Sequence, residues 1–332
     1  MASDGDANTR SSGSGSGTRF GHLPLSTTGP LDCALSGTAL LNDPFFNKGS
    51  AFPLEERRAF GLHGLLPGSG AQTLETQARR AREQYASRPD DLAKNTFLTS
   101  MKEQNAVLYY KVSRLVPVSL PPLLSRQDCL LQDNIKDMFS VVYTPTEGDA
   151  IQNYSRLFRR PEGCFLSVND KERVRANLAQ WGNPEDIDYI VVTGPSLLPC
   201  TSREHIYMMV EKDGDNGREK GDGEEILGIG DQGVGGILIS VAKLVLATLC
   251  AGVHPNRCLP VVLDCGTDNP ALLDDDLYLG LRERRVRGAR YDAFVDEFVA
   301  AARALYPRAY IHFEDFGLGN GEQATSGRSR AR

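Results

Sequence analysis

Residues 225–253, EILGIGDQGVGGILISVAKLVLATLCAGV, decide the fold of this chain. The first five are mostly apolar, which is typical of a short strand, and a glycine-rich loop follows them. After the loop, apolar side chains recur at helical spacing and stop at Gly252, before His254 and Pro255, so a helix is predicted there. The chain then runs into a second apolar stretch, LPVVLD, at residues 259–264. Strand, loop, helix and strand in this order predict a right-handed crossover between parallel strands.

The glycines of the loop have the outline of a dinucleotide-binding fingerprint. Gly228, Gly230 and Gly233 give the spacing G-x-G-x-x-G, and Asp264 ends the following strand. Asp231, however, lies inside the turn that would hold a pyrophosphate, where its carboxylate would repel the anion. We therefore favour a loop that shapes a substrate cleft over a nucleotide site.

The composition is that of an ordinary globular protein. Hydrophobic residues make up 40% of the 332 residues, charged residues make up 24%, and the net charge is -6. A negative chain has no global attraction to nucleic acid or to an anionic membrane. No apolar run is expected to reach the ~18 residues that a membrane span needs. We therefore expect neither nucleic acid nor a membrane as a partner.

The cysteines and the N-terminal residues bear on the compartment. Seven cysteines without a C-x-x-C pair indicate free thiols in a reducing compartment. The start of the chain, MASDGDANTRSSGSGSGTRF, has no apolar core and is not a secretory signal. We expect a cytoplasmic protein, with a mitochondrial one as the alternative, because Arg10 and Arg19 accompany many serines.

The remaining pattern predicts an α/β protein with a helical first part. Helices are predicted at residues 73–85, 92–111 and 291–305, and strands at residues 139–143, 188–193 and 310–313. The last strand delivers Glu314 and Asp315 at its carboxyl end. Ligand sites of open α/β sheets gather at such ends, so this pair is a candidate site.

Five blocks of the sequence resemble malic enzymes of fungi and bacteria, and they occur in the family's order. The blocks are NKGSAFPLEERRAFGLHGLLP from Asn47, VVYTPTEGDAIQNYSRLFRRPEGCF from Val141, GIGDQGVGG with Lys243, AGVHPNRCLPVVLDCGTDN from Ala251, and FEDF at residues 313–316. The resemblance implies NAD(P)-dependent oxidative decarboxylation of malate to pyruvate with a divalent Mg or Mn cation. NAD is the expected cofactor, with NADP as the alternative. The resemblance also implies a dimer or tetramer of identical chains.

The same resemblance implies roles for single residues. Lys243 matches the general base that accepts the C2 hydroxyl proton, and desolvation in its helix is expected to lower its pKa. Tyr143 matches the proton donor, and Glu314 and Asp315 match two metal ligands. Glu225 stands where many relatives carry an arginine that grips a malate carboxylate, a contact that a negative side chain would oppose. From the residues alone, Lys243 would be an ordinary surface lysine, and Tyr143 a strand-end tyrosine with a satisfied hydroxyl.

Departures from the family pattern predict the domain boundaries. Residues 112–129 and 194–223 are interpreted as insertions, because prolines in the first and charged, glycine-rich sequence in the second interrupt the matching blocks. We expect a flexible tail at residues 1–45, a helical region at 46–138, an α/β malate- and metal-binding domain at 139–316, and an unstructured tail at 317–332.

The sequence contains neither the family's third metal ligand nor its C-terminal Rossmann NAD domain, so the parallel-sheet domain is expected to be truncated. Two hypotheses follow. In the first, the sequence represents a malic enzyme whose natural chain is longer, and this chain alone is inactive. In the second, it is a non-catalytic fragment or interaction module that pairs with a full-length malic enzyme subunit.

Overall fold

The computed structural model describes residues 33–68, 73–110, 135–194 and 229–314. Helices precede the first strand: α1 (Gly37–Asn42), α2 (Leu54–Ala59), α3 (Leu74–Ala86), α4 (Asp91–Gln104), α5 (Ala106–Tyr110), α6 (Ile135–Val142), α7 (Thr146–Gln152) and α8 (Tyr154–Leu157). Strands and helices then alternate: β1 (Cys164–Ser167), α9 (Val174–Leu178), β2 (Tyr189–Thr193), α10 (Ile237–Ala251), β3 (Cys258–Asp264), α11 (Pro270–Leu273), α12 (Ala289–Leu305) and β4 (Tyr310–Glu314).

Side-chain caps fix where the N-terminal helices begin and end. The side chain of Asp90 accepts a hydrogen bond from the backbone N–H of Ala93 at 2.7 Å, which starts α4. The single helix predicted at residues 92–111 is wrong, because Asn105 leaves helical geometry with φ -153° and ψ 79°. Its Oδ1 accepts from the N–H of Leu108 at 2.8 Å and so begins α5 as a separate helix.

The strand predicted at residues 139–143 is also wrong, since these residues belong to the end of α6 and the turn after it. Met138, Val141 and Val142 are buried, whereas Phe139 is 41% exposed. Burial at spacings of three and four is helical, and a short apolar run does not distinguish a helix from a strand. The buried face packs on α4 and on Val245 of α10.

The strands form a parallel sheet in the order β1-β3-β2-β4. Val192 of β2 pairs with Val261 of β3 on one side and with Phe313 of β4 on the other. The predicted helix and parallel strand after the glycine loop are confirmed as α10 and β3. Most of the strand predicted before that loop, residues 225–228, lies outside the described residues.

Helices cover both faces of the sheet. Phe294, Phe298 and Ala302 of α12 are fully buried against one face. On the other face lies α10, where the hydroxyl of Ser240 donates to the carbonyl of Val261 at 3.2 Å. The start of α10 lies at the carboxyl end of β2, where the hydroxyl of Thr193 donates to the carbonyl of Gly236 at 3.2 Å.

Among the described residues, one helical stretch, Gly233–Ala251, has the length and the mean hydropathy, 2.1, of a membrane span. The expectation that no apolar run reaches this length is therefore wrong. In this structure 61% of the stretch is buried between the sheet and the N-terminal helices, which is the position of a core helix.

Replacing Phe298 of α12 by alanine tests this packing. Its ring is completely buried, so Phe298→Ala is expected to lower the free energy of unfolding by roughly 3–5 kcal/mol. Urea unfolding followed by circular dichroism measures the change. Leu54→Ala is the matched control because the Leu54 side chain is 51% exposed. Equal losses in the two variants would contradict the assignment of α12 to the core.

Candidate functional site

Three predicted site residues meet although they are far apart in the sequence. Tyr143 follows α6, Lys243 lies in the middle of α10, and Glu314 ends β4. The Nζ of Lys243 lies 2.9 Å from Oε1 of Glu314 and 5.5 Å from the centre of the Tyr143 ring. The lysine therefore joins the other two residues into one site.

The environment of Lys243 raises its pKa well above the ordinary value. Burial is the largest single influence and lowers the pKa, but the hydrogen bonds and charges of Glu314 and Tyr143 together outweigh it. The expectation of a lowered pKa is therefore wrong in this arrangement. That expectation rested on the apolar neighbours of Lys243 within α10. The deciding partner is the carboxylate of Glu314, which belongs to β4.

Glu314 is held as a carboxylate by two partners. Burial alone would raise its pKa, but hydrogen bonds from His312 and Lys243 give a net lowering. Nε2 of His312 lies 2.7 Å from Oε2 of Glu314, and only 14% of the Glu314 side chain is exposed. The carboxylate thus faces a cation at one oxygen and an imidazole at the other.

His312 was not assigned a role from the sequence. Its spacing of two residues from Glu314 within a strand puts both side chains on one face of β4, and that was the available signal. A carboxylate only accepts hydrogen bonds, so Nε2 of His312 carries the proton. Nδ1 lies 3.1 Å from the hydroxyl of Tyr189 in β2, which donates to it when the ring is neutral.

Two predicted site residues, Glu225 and Asp315, lie outside the described residues. In the ranges that the structure does describe, no group of three or more His, Cys, Asp or Glu side chains is arranged to hold a metal ion. Glu314 supplies one carboxylate, which is already paired with Lys243 and His312. Magnesium and manganese need several oxygen ligands, so the described residues alone do not form a site for either ion.

The glycine loop is packed against the chain's own side chains. The hydroxyl of Tyr278 accepts a hydrogen bond from the N–H of Val234 at 3.1 Å. A Cβ on Gly233, where φ is 54°, would lie only 2.0 Å from that hydroxyl. The glycine therefore admits Tyr278, and the spacing is explained without a bound nucleotide.

Asp231, which argued against a pyrophosphate, has a structural partner. Both of its oxygens bind the guanidinium of Arg285, and one also accepts from the N–H of Asp268 at 2.9 Å. Burial is the largest single influence and raises the Asp231 pKa. Arg285 and the backbone donors together outweigh it, so the pKa is lowered overall. Asp264 likewise binds the backbone N–H groups of Gly266 and Leu281. Both carboxylates serve to fasten the loop after β3.

A sequence model of the malic enzyme N-terminal domain matches residues 126–198 and 220–325, which together exceed half of the chain. The chain belongs to the malic enzyme family. The match omits residues 199–219, and it runs to residue 325, into the segment expected to be an unstructured tail.

Named malic enzymes resemble the chain over most of its length. It is 42% identical over 296 residues to the mitochondrial NAD-dependent malic enzyme of Saccharomyces cerevisiae, covering 89% of this chain and 37% of the relative. It is 41% identical over 297 residues to NAD-dependent malic enzyme 3 of Bacillus subtilis, covering 89% and 44%. For the Schizosaccharomyces pombe NAD-dependent malic enzyme, identity is 39% over 304 residues, covering 91% and 46%. The chain therefore spans less than half the length of each of these relatives.

The lowered pKa of Glu314 in this malic enzyme domain gives a stability prediction. A carboxyl whose pKa is lower folded than unfolded contributes stability above the unfolded value, about 4.5, and this contribution is lost as the pH falls through the folded value. Glu314→Gln is therefore expected to destabilise the fold at pH 7 and to cost progressively less below about pH 4.5.

Urea unfolding of both proteins across this pH range measures the difference. Glu55→Gln, at an exposed position of α2, is the control for removing one negative charge. A cost of Glu314→Gln that does not depend on pH would contradict the charged pairing of Glu314.

Proposed function

We propose that this chain provides the malate-binding and proton-transfer part of an NAD-dependent malic enzyme, which converts malate to pyruvate and CO2. The observation that carries the proposal is the convergence of Tyr143, Lys243 and Glu314 around the lysine Nζ. A base, an acid and a carboxylate within contact distance suit proton removal and return at adjacent carbons. The names of the NAD-dependent relatives support NAD as the hydride acceptor, with NADP as the alternative.

In the proposed reaction, Lys243 accepts the proton of the malate C2 hydroxyl while the C2 hydride passes to NAD. The oxidised product loses CO2, and the electron pair of the broken C–C bond forms the enolate of pyruvate. Tyr143 then donates a proton to C3, and Lys243 passes the proton taken from the hydroxyl to Tyr143, whose ring centre lies 5.5 Å from its Nζ. The proton taken from oxygen thus ends on carbon, and once Lys243 is neutral the two residues account for every proton that moves. Because its neighbours favour the protonated form, Lys243 must give up its own proton before it acts as the base.

A bound Mg or Mn ion would polarise the C2 oxygen and accept electron density during loss of CO2. We propose Glu314 and Asp315 as its ligands, which requires further oxygen ligands beyond the described residues. Glu225 is retained as a candidate position next to a malate carboxylate. A homodimer or homotetramer, and a cytoplasmic or mitochondrial location, belong to the same proposal; the name of the yeast relative supports the mitochondrial alternative.

The second candidate is a non-catalytic module that pairs with a full-length malic enzyme subunit. This candidate is supported by the extent of the matches, in which the chain covers only 37% to 46% of the length of each relative. The enzymatic candidate predicts malate binding by this chain and malate-dependent NADH formation with Mn²⁺ in a longer chain that contains it, whereas the second candidate predicts only a mixed assembly with a longer subunit, seen by analytical ultracentrifugation.

Substitutions of the two proton-transfer residues test the enzymatic proposal. In a longer chain that contains this sequence, Lys243→Ala and Tyr143→Phe are each expected to lower malate-dependent NADH formation by about 10²–10⁴-fold, the usual contribution of a general acid or base. Lys94→Ala is the control, because this lysine pairs with Asp91 on the surface of α4. Turnover that survives both substitutions would overturn the assigned roles. Absence of both turnover and malate binding, measured by calorimetry with Mn²⁺, would overturn the proposed function.

A further inference from the structure

A buried polar pair, Asn95 and Glu147, joins the two flanks of the turn that carries Tyr143, and we call this pair the bracket. Asn95 in α4 and Glu147 in α7 are 8% and 5% exposed. Nδ2 of Asn95 donates to the carbonyl of Val141 at 2.9 Å and to Oε2 of Glu147 at 3.2 Å. Val141 lies two residues before Tyr143 and Glu147 four residues after it, so one amide group ties both flanks of the turn together.

Backbone hydrogen bonds link this bracket to Tyr143 itself. The N–H of Glu147 donates to the carbonyl of Tyr143 at 2.9 Å, and the N–H of Tyr143 donates to the carbonyl of Phe139 at 2.9 Å. The Tyr143 ring packs on Phe139 with ring centres 5.9 Å apart and faces Lys243 on its other side. A shift of the Glu147 backbone would therefore move the ring relative to the lysine.

A carboxyl at this position is costly for a purely structural contact. Burial raises the pKa of Glu147 to about 8, so the group is mainly neutral at pH 7. An apolar side chain would fill the same space without that cost. Costly buried ionisable groups concentrate at functional sites.

Burial outweighs the charges around Glu147 in setting its pKa. Glu147 borders a cavity of about 100 Å³, to which α10 contributes apolar side chains such as Val241 and Val245. The charged and titratable groups on the cavity wall are Lys102, Glu103, Tyr109, Tyr154, Arg159, Arg160 and Glu162. Lys102 pairs with Glu162 at 2.8 Å, so its charge is largely compensated.

We propose that Asn95 and Glu147 are positioning residues, which hold the Tyr143 turn so that the tyrosine ring stays against Lys243. The catalytic consequence of this proposal rests on the proposed function. The hydrogen bonds of the bracket are a property of the fold and do not depend on it. Ionised Glu147 would lose its place in the apolar pocket and loosen the turn. Glutamine keeps the shape and the acceptor oxygen without the charge, whereas alanine removes the bracket.

Amide hydrogen exchange of a peptide covering residues 139–148, measured by mass spectrometry at pH 7, tests the bracket directly. Glu147→Ala and Asn95→Ala are expected to exchange there about tenfold faster, the effect of losing one buried hydrogen bond. Glu147→Gln is expected to match the unsubstituted chain. Gln77→Ala is the control, since it removes another buried amide, bonded to the carbonyl of Lys48, away from the turn.

The proposal is overturned if the amides of this peptide exchange at the same rate in Asn95→Ala as in the unsubstituted chain. It is also overturned if they exchange as fast in Glu147→Gln as in Glu147→Ala. If Glu147→Ala does not fold, Asn95→Ala and Glu147→Gln still decide the matter. Malate oxidation separates the two claims. With turnover present, Glu147→Ala must lower kcat more than it changes KM, and Glu147→Gln must restore it. With turnover and malate binding both absent but the exchange pattern as expected, the proposed function fails and the bracket stands.

The raised pKa of Glu147 adds a prediction on stability. A carboxyl that titrates at about 8 when folded and near 4.5 when unfolded favours folding fully below pH 4.5, and this contribution is lost as the pH rises to about 8. Relative to Glu147→Gln, the folded-to-unfolded ratio is expected to fall by up to about tenfold per pH unit in this window. Urea unfolding at several pH values measures the ratio, and parallel curves for the two proteins would contradict a neutral buried Glu147.

Discussion

The contact between Lys243 and Glu314 is the interaction on which the site depends. It joins a helix packed on one face of the sheet to the end of β4, the outer strand next to β2 in the described sheet. The distance of 2.9 Å is possible only because β4 pairs with β2 in register and α10 lies across β2 and β3. The sheet order and the crossover through α10 therefore have a direct chemical consequence, which is a lysine held beside a carboxylate.

The surrounding residues reinforce this contact from two directions. His312, whose other ring nitrogen contacts the Tyr189 hydroxyl, binds the second oxygen of Glu314 from the sheet side, while Tyr143 meets Lys243 from the helical side. The raised pKa of the lysine and the lowered pKa of the carboxyl follow from this arrangement. Proton transfer in the proposed reaction must begin from this paired state, so a ligand that alters the environment of Glu314 would also alter the lysine.

The sequence predicted the regular elements better than their meeting points. The parallel crossover, α10 and α12 follow from long stretches with clear periodicity and glycine stops, and the structure contains them. The strand predicted at residues 139–143 is wrong because four apolar side chains in five residues carry no decisive period, and packing on α4 stabilises the helix instead. Asn105 was passed over because a single capping side chain interrupts an otherwise continuous helical composition.

The site shows the same limit. Tyr143 and Lys243 were identified only through resemblance to a family, whereas Glu314 was also a candidate from its place at a predicted strand end. No local spacing relates the three residues, because they are so far apart in the chain. The pKa of Lys243 could not be inferred from its helix, because the deciding partner comes from β4. His312 and Glu147 were missed for a related reason: the importance of a buried polar side chain depends on which tertiary partner it reaches.

The most direct test of the account is the pKa of the Lys243 amino group, measured by NMR of the chain with ¹³C-labelled lysine and assigned with Lys243→Arg. The account predicts a pKa above that of an exposed lysine, and a lower value in Glu314→Gln, because the strongest partner that raises it has then lost its charge. An ordinary or lowered pKa that does not change in Glu314→Gln would contradict the central contact and the site built on it.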